Sequence, residues 1–201
     1  MNNTITIPTA QFQAIASFRA VGDIRYYLNG VLLETGPQGA FIVATDGFAM
    51  AAARIDREPM ADSRIILPLG IIEQIEKLKL KKNPAFIIEL PEQKFKGTLK
   101  TLDYEMQFNG VDAKYPNWRS VARHTFDGTA VAYDPKYLSK VDNAAGLIKG
   151  CKQDDPVTPL RPGVRGTCGF AWLDKDGEAC AWVAAMNYSL EQLPGAPVWT
   201  V

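Results

Sequence analysis

Histidine and cysteine are scarce in this sequence: His124 stands alone, and Cys151, Cys168 and Cys180 form an odd set without a C-x-x-C pair. That excludes a disulfide framework and the common zinc spacings, and leaves reduced, buried thiols as the simplest reading. No apolar run approaches the twenty residues of a membrane span. The start, Met1-Asn2-Asn3-Thr4, lacks the basic and apolar regions of a signal peptide, so a cytoplasmic protein without a membrane partner is expected. Charge of one sign is absent too. With 22 basic and 22 acidic residues the net charge is zero, so any nucleic-acid contact has to come from local clustering.

Catalytic signatures are equally thin. Gly163-Val164-Arg165-Gly166 lacks the lysine and the following helix of a phosphate loop, and no serine or cysteine motif accompanies His124. Asp174-Lys175-Asp176-Gly177 opens like a calcium loop, but the later ligand positions and the closing glutamate do not follow, which leaves a hairpin turn. Thr45-Asp46-Gly47 is explained by a turn. Neither an enzyme nor a cofactor is expected, and Trp172, Trp182 and Trp199 read as core or interface anchors.

What is present is a repeat. Three times an extended apolar segment meets a proline and then an amphipathic helix: Ile5-Thr6-Ile7-Pro8, Ile65-Ile66-Leu67-Pro68 and Val131-Ala132-Tyr133-Asp134-Pro135. Proline suits such a junction, because its fixed φ fits the first helical turn, where its missing N–H is not needed. Phe12, Ile15, Ala16 and Phe18 fall near one helical face; so do Ile71, Ile72, Ile75 and Leu78, and then Tyr137, Leu138, Val141, Ala145 and Ile148. All three helices are expected to cover a sheet.

Two or three strand-like runs follow each helix. In the first unit they are Tyr26–Thr35, Ala40–Thr45 and Phe48–Ile55, with a turn at Gly36-Pro37-Gln38-Gly39. Asn29-Gly30 is read as a bulge within the first of these, with a hairpin as the competing account. The middle unit offers Ala85–Leu90 and Lys94–Phe108, the last Cys168–Leu173 and Ala179–Met186. The fold class is therefore α+β with antiparallel sheets. Two units close one domain, residues 1–123, and a third unit with a tail occupies 124–201.

Asp23-Ile24-Arg25-Tyr26-Tyr27-Leu28-Asn29-Gly30-Val31-Leu32-Leu33-Glu34-Thr35, then Ala44-Thr45-Asp46-Gly47 and Lys114-Tyr115-Pro116-Asn117-Trp118-Arg119-Ser120-Val121, resemble the middle domain of bacterial DNA polymerase sliding clamps. Beyond Asp127 the likeness is to the repeated unit alone. The resemblance implies about one and a half clamp domains, where a family subunit has three domains and closes as a dimer around duplex DNA. It implies a sequence-nonspecific DNA-associated protein, with helix lysines facing phosphates. Lys77, Lys81, Lys136 and Lys140 are the candidates, with Arg19 on the first helix. A solvated helix face with Glu73, Lys77 and Lys81 four apart is the alternative.

The resemblance also implies a pocket for polymerase or repair-factor peptides. Its wall would be Leu28, Thr45, Gly47, Phe48, Ala49 and Met50, with Pro116, Ser120 and Val121 from the segment leaving the first domain. Phe48 and Ala49 stand where the family usually has histidine and arginine, and Ser120 where it often has arginine, so the rim is less polar. A protein-interaction module that keeps the pocket without encircling DNA is the rival reading. Homo-oligomerisation is expected, by pairing of third units across a two-fold axis.

Overall fold

A computed structural model describes residues 3–90, 95–122, 133–149, 161–162, 168–174, 176 and 178–184. The first unit consists of β1 (Asn3–Pro8), α1 (Thr9–Ala16), a 3-10 turn (Tyr26–Asn29), β2 (Val31–Gly36), β3 (Gly39–Thr45) and β4 (Ala49–Asp56). The second has β5 (Ser63–Leu67), α2 (Leu69–Glu76), β6 (Ala85–Leu90), β7 (Lys96–Lys100) and β8 (Glu105–Asn109). After the short α3 (Trp118–Ala122) come α4 (Pro135–Lys149), β9 (Arg161–Pro162), β10 (Cys168–Trp172) and β11 (Ala179–Ala184). The third unit's anticipated first strand at Val131-Ala132 lies outside the described residues, as do His124, Cys151 and Trp199.

The strand–proline–helix junctions are present with one shift of position. Pro8 and Pro68 are the N-caps of α1 and α2, at φ −61° and −73° with extended ψ, whereas Pro135 is the first residue of α4. Extended ψ at a cap lets the strand hand over to the helix without an intervening loop.

The described strands form two antiparallel sheets, ordered β1-β6-β7-β8 and β5-β2-β3-β4-β11-β10-β9. Units one and two exchange their first strands: β1 pairs with β6, and β5 with β2. Neither unit can close its sheet alone, which is why two are needed for one core. Both sheets and all three long helices meet in that core, with Ile5, Ile88 and Leu99 from the small sheet, Leu33, Ile42 and Ala51 from the large one, and Phe12, Ile72 and Val141 from the helices. Each anticipated helical face points into it. Its large rings interlock, Phe12 meeting Phe86 edge to face at 5.3 Å.

The large sheet is apolar on both faces. Leu33 and Ile42 point to the helices, while their neighbours Leu32 and Val43 join Met50, Ala52 and Ile66 on the far side. Period-two alternation of an unbroken apolar run gives that result, and it obliges the chain to cover the far side as well. Tyr115 and Trp118 do so, from the segment that leaves β8.

Two local expectations are corrected. Asn29-Gly30 is neither bulge nor hairpin, because residues 26–29 form a 3-10 turn and β2 starts after Gly30. The Asn29 amide donates to the Asp23 carbonyl at 2.9 Å and accepts from the Asp23 N–H at 3.1 Å, closing a small loop. Gly30 has φ −98°, and a Cβ there would lie 2.5 Å from Ile66 and 2.8 Å from the Leu67 carbonyl oxygen; close approach, not turn chirality, requires the glycine. The second correction concerns α2, which ends at Glu76 with Lys77 as its cap, so Glu73, Lys77 and Lys81 do not share a helical face.

Candidate functional site

Helices α2, α1 and α4 pack side by side, with α1 in the middle. The α2–α1 contact is polar at its end. Gln13 on α1 donates its side-chain amide to the carbonyls of Ile75, Glu76 and Leu78 at 3.3–3.4 Å, satisfying acceptors that the end of α2 leaves without helical partners. Arg19 donates to the Ala16 carbonyl and pairs with both oxygens of Glu76 at 2.8 and 3.3 Å. Its guanidinium therefore ties the ends of two helices together, and it is not free to meet a phosphate.

Lys140 is also engaged. Its ammonium lies 3.1 Å from the Asp46 carboxylate and near the faces of Phe18 and Tyr137. Lys136 is well exposed, 3.5 Å from Asp134 and 4.5 Å from the centre of the Tyr137 ring. Lys77, Lys79 and Lys81 are exposed at and beyond the end of α2, and no carboxylate among the described residues pairs with them. Lys82 beside them is held by Asp103 at 2.6 Å. Of five anticipated phosphate contacts, Lys77, Lys81 and Lys136 are presented to solvent, while Arg19 and Lys140 serve internal contacts.

The anticipated peptide wall is dispersed over the β3–β4 turn, the two faces of β4, the 3-10 turn and the segment around α3. Thr45, Gly47 and Phe48 form the β3–β4 turn: the Thr45 hydroxyl donates to the Ala49 carbonyl at 2.7 Å and accepts the Gly47 N–H, and Asp46 accepts the N–H groups of Phe48 and Ala49. Gly47 sits at φ +94° beside the Arg25 guanidinium, where only glycine is relaxed. Phe48 is 62% exposed and stacks on Tyr137 with centroids 6.3 Å apart. Ala49 and Met50, being adjacent in a strand, face opposite sides; Ala49 belongs to the helix-side core and Met50 to the outer cluster. Met50 is only 5% exposed, packed in the cluster that holds Tyr115, Trp118 and Trp182. Leu28 is buried in the 3-10 turn, whereas Pro116 and Ser120 are exposed around α3. The Val121 side chain lies outside the described residues.

Three features carried no sequence signal. One is the seam between β4 and β11, which pairs Ala49 with Val183 and Met50 with Trp182 and so carries the large sheet across the expected boundary near residue 123. Arg54 anchors one end of that seam with two hydrogen bonds to Glu178, at 2.5 and 2.9 Å, and Arg57 joins the same carboxylate. Hydrogen bonding from Arg54 holds the Glu178 carboxyl below its ordinary range despite partial burial. At the other end the Ala184 N–H donates to the Phe48 carbonyl at 2.7 Å, while Asp46–Lys140 and Phe48–Tyr137 tie the β3–β4 turn to α4. The second feature is Glu34, buried between Arg64 at 2.9 Å and Arg119, whose guanidinium lies 4.2 Å above the Trp118 ring. Third is an open cleft of about 610 Å³ beside that group, lined by Glu34, Gly36, Phe41, Asp62, Arg64 and Arg119, and containing none of the anticipated site residues. Arg119 is 85 positions from Glu34 and Glu178 is 124 from Arg54, separations that leave no local pattern to read.

No group of three or more metal-ligating side chains occurs among the described residues, and none of their helices is long and apolar enough to cross a membrane. Cys180 is half-buried, and burial pushes its thiol well up from the ordinary value, as befits a packing residue.

Residues 10–117 match the model of the DNA polymerase III beta subunit, central domain. The beta sliding clamp of Buchnera aphidicola is 30% identical over 101 residues, covering 49% of this chain and 27% of that protein. That of Pseudomonas aeruginosa is 28% identical over 145 residues, covering 63% and 39%. The chain thus spans between a quarter and two fifths of these relatives. Among solved structures, the DNA polymerase sliding clamp of Pseudomonas aeruginosa aligns with a TM-score of 0.64 and 17% identity, over 92% of this chain and 67% of that one. DNA polymerase III subunit beta from Borrelia burgdorferi aligns with a TM-score of 0.67 and 12% identity, over 93% and 63%. At such identities the structures speak for the fold, a clamp-type assembly of helices on antiparallel sheets.

Proposed function

The chain belongs to the family of the DNA polymerase III beta subunit, whose central domain it matches, and from that premise we propose that it is a non-catalytic, clamp-like protein that associates with duplex DNA without sequence preference. The observation that carries the reading is the row α2-α1-α4, along which Lys77 and Lys81 at one end and Lys136 at the other are held out to solvent. Ammonium groups on a rigid row can sit against phosphates without reading bases, and the release of counterions supplies the binding free energy. With Arg19 and Lys140 engaged internally, binding is weak. The cytoplasm is the location that suits such a protein.

The test is fluorescence anisotropy of a labelled duplex between about 50 and 200 mM salt, comparing the protein with a Lys77→Glu/Lys81→Glu/Lys136→Glu variant. Affinity should fall as salt rises, the slope tracking the number of phosphates neutralised. The variant should lose binding. Equal binding by both proteins, or none by either, removes the DNA reading.

A second reading, presentation of a surface to replication or repair-factor peptides without encircled DNA, draws support from Phe48. This exposed ring sits on a rigid turn beside Tyr137, although Met50 is covered by its neighbours. Burying one leucine and one aromatic contributes about 1.5–3 kcal/mol each, against roughly 8 kcal/mol for micromolar affinity, so binding is weaker than micromolar. Loss of a leucine- and phenylalanine-bearing peptide's binding in Phe48→Ala supports this reading; an unresponsive parent protein removes it.

A further inference from the structure

Glu34 has Arg64 as its cross-strand neighbour on β5 and Phe41 on β3, so the three stand in one row on the side of the large sheet away from the helices. Arg119 reaches the same row from α3. Its guanidinium lies 4.2 Å from the centre of the Trp118 ring and 5.2 Å from that of Phe41, and the two rings fix its position. One Glu34 oxygen takes Nε of Arg64 at 2.9 Å, and the other takes Nη1 of Arg119. A buried carboxylate needs one guanidinium to balance it; here there are two, and the group carries a net positive charge. No other carboxylate among the described residues meets either guanidinium, although each has N–H donors to spare. The Arg54–Arg57 pair on Glu178 has the same excess, but it caps the β4·β11 seam and lines no part of the cleft beside Glu34.

We propose that this cleft is a binding site for a short extended peptide segment with one acidic side chain, whose carboxylate bridges Arg64 and Arg119. Its volume, about 610 Å³, is that of a small-ligand site. Gly36, Pro37 and Phe41 line it with little to hydrogen-bond, the Gly36 carbonyl being taken already by the Met60 N–H at 3.0 Å, and that suits an apolar neighbour of the acid. The charge count selects the occupant. Glu34 and Asp62 against Arg64 and Arg119 bring the whole lining to zero, and Asp62, exposed beside Gly36, pairs with no cation among the described residues. A nucleic-acid strand needs several uncompensated cations and would meet two fixed anions here. A single carboxylate instead meets the local excess of one positive charge, where two guanidiniums converge and Arg119 is already ordered by its rings.

The site goes beyond both readings above and rests on neither, since the cleft holds no residue of the DNA row or of the anticipated peptide wall. The probe is acetyl-Val-Glu-Val-amide, with acetyl-Val-Gln-Val-amide as its neutral counterpart, each titrated to millimolar concentration and followed by backbone-amide NMR of the full chain. The glutamate peptide should shift the signals of Gly36, Phe41 and Arg64 and bind about tenfold more tightly than the glutamine one. Arg64→Gln, at an exposed side chain, should abolish that difference with an unchanged circular dichroism spectrum. Glu34→Gln removes the internal anion that competes for both guanidiniums, so it should tighten the glutamate peptide, a gain that a merely structural role does not predict. Should that variant fail to fold, Arg64→Gln decides. Equal affinity for the two peptides, a difference that survives Arg64→Gln, or no gain in a folded Glu34→Gln overturns the proposal. Shifts confined to the turn around Phe48 overturn it too, and are what the second reading expects. Loss of duplex-DNA binding in Arg64→Gln would assign the cleft to phosphate and overturn it likewise.

Discussion

Of the three antiparallel ladders that join unit one to its neighbours, β1·β6 and β4·β11 differ most in character. β1·β6 is closed by apolar packing: Ile5 lies opposite Ile88 and Ile7 opposite Phe86, all essentially without exposure. β4·β11 is built largely on alanine, with Ala51 opposite Ala181 and Ala53 opposite Ala179, and a charged cluster of Arg54, Arg57 and Glu178 holds one end. Small side chains bury little area per residue, so the second ladder draws more of its stability from charge-assisted hydrogen bonds than the first does. One seam should therefore be indifferent to pH and salt, and the other sensitive to both.

The largest effect should come from opening a hole in the first ladder. Ile5→Ala removes a fully buried side chain from a close-packed core and should cost about 2–5 kcal/mol in urea unfolding, at unchanged salt sensitivity. A cost below about 1 kcal/mol would contradict the apolar account. Arg54→Ala should cost less, about 1–2 kcal/mol, and should act locally: it leaves the mostly buried Glu178 carboxylate with only the exposed Arg57. Hydrogen exchange should quicken at residues 179–183 while 85–90 keep their protection. Quickening throughout would mean that the two ladders are not independent.

Acid should give the smallest effect. The folded-state pKa of Glu178 lies below its ordinary 4.5, so its contribution is complete above that value and is lost as pH falls through the lowered one. Exchange at β11 should begin to rise below the ordinary glutamate range, ahead of β6. The same shift in Arg54→Ala should be absent, because its main cause is gone.

The repeat, the three amphipathic helices, the α+β class and the likeness to sliding clamps followed from the sequence, because each rests on a local pattern: a proline after an apolar run, a period near 3.6, a run of matched residues from Asp23 to Val121. Faces of helices were legible down to Phe12, Ile72 and Val141. Tertiary structure alone decided which edges meet. That β11 completes β4, that Arg54 reaches Glu178 across 124 positions, and that Arg19 and Lys140 serve contacts within the protein are matters of long-range geometry, in which identical local patterns allow different partners. The candidate sites divide along the same line. A lysine's presence is written in the chain, but its availability depends on whether the fold packs it against other groups, as it does Lys140, or leaves it exposed, as it does Lys136.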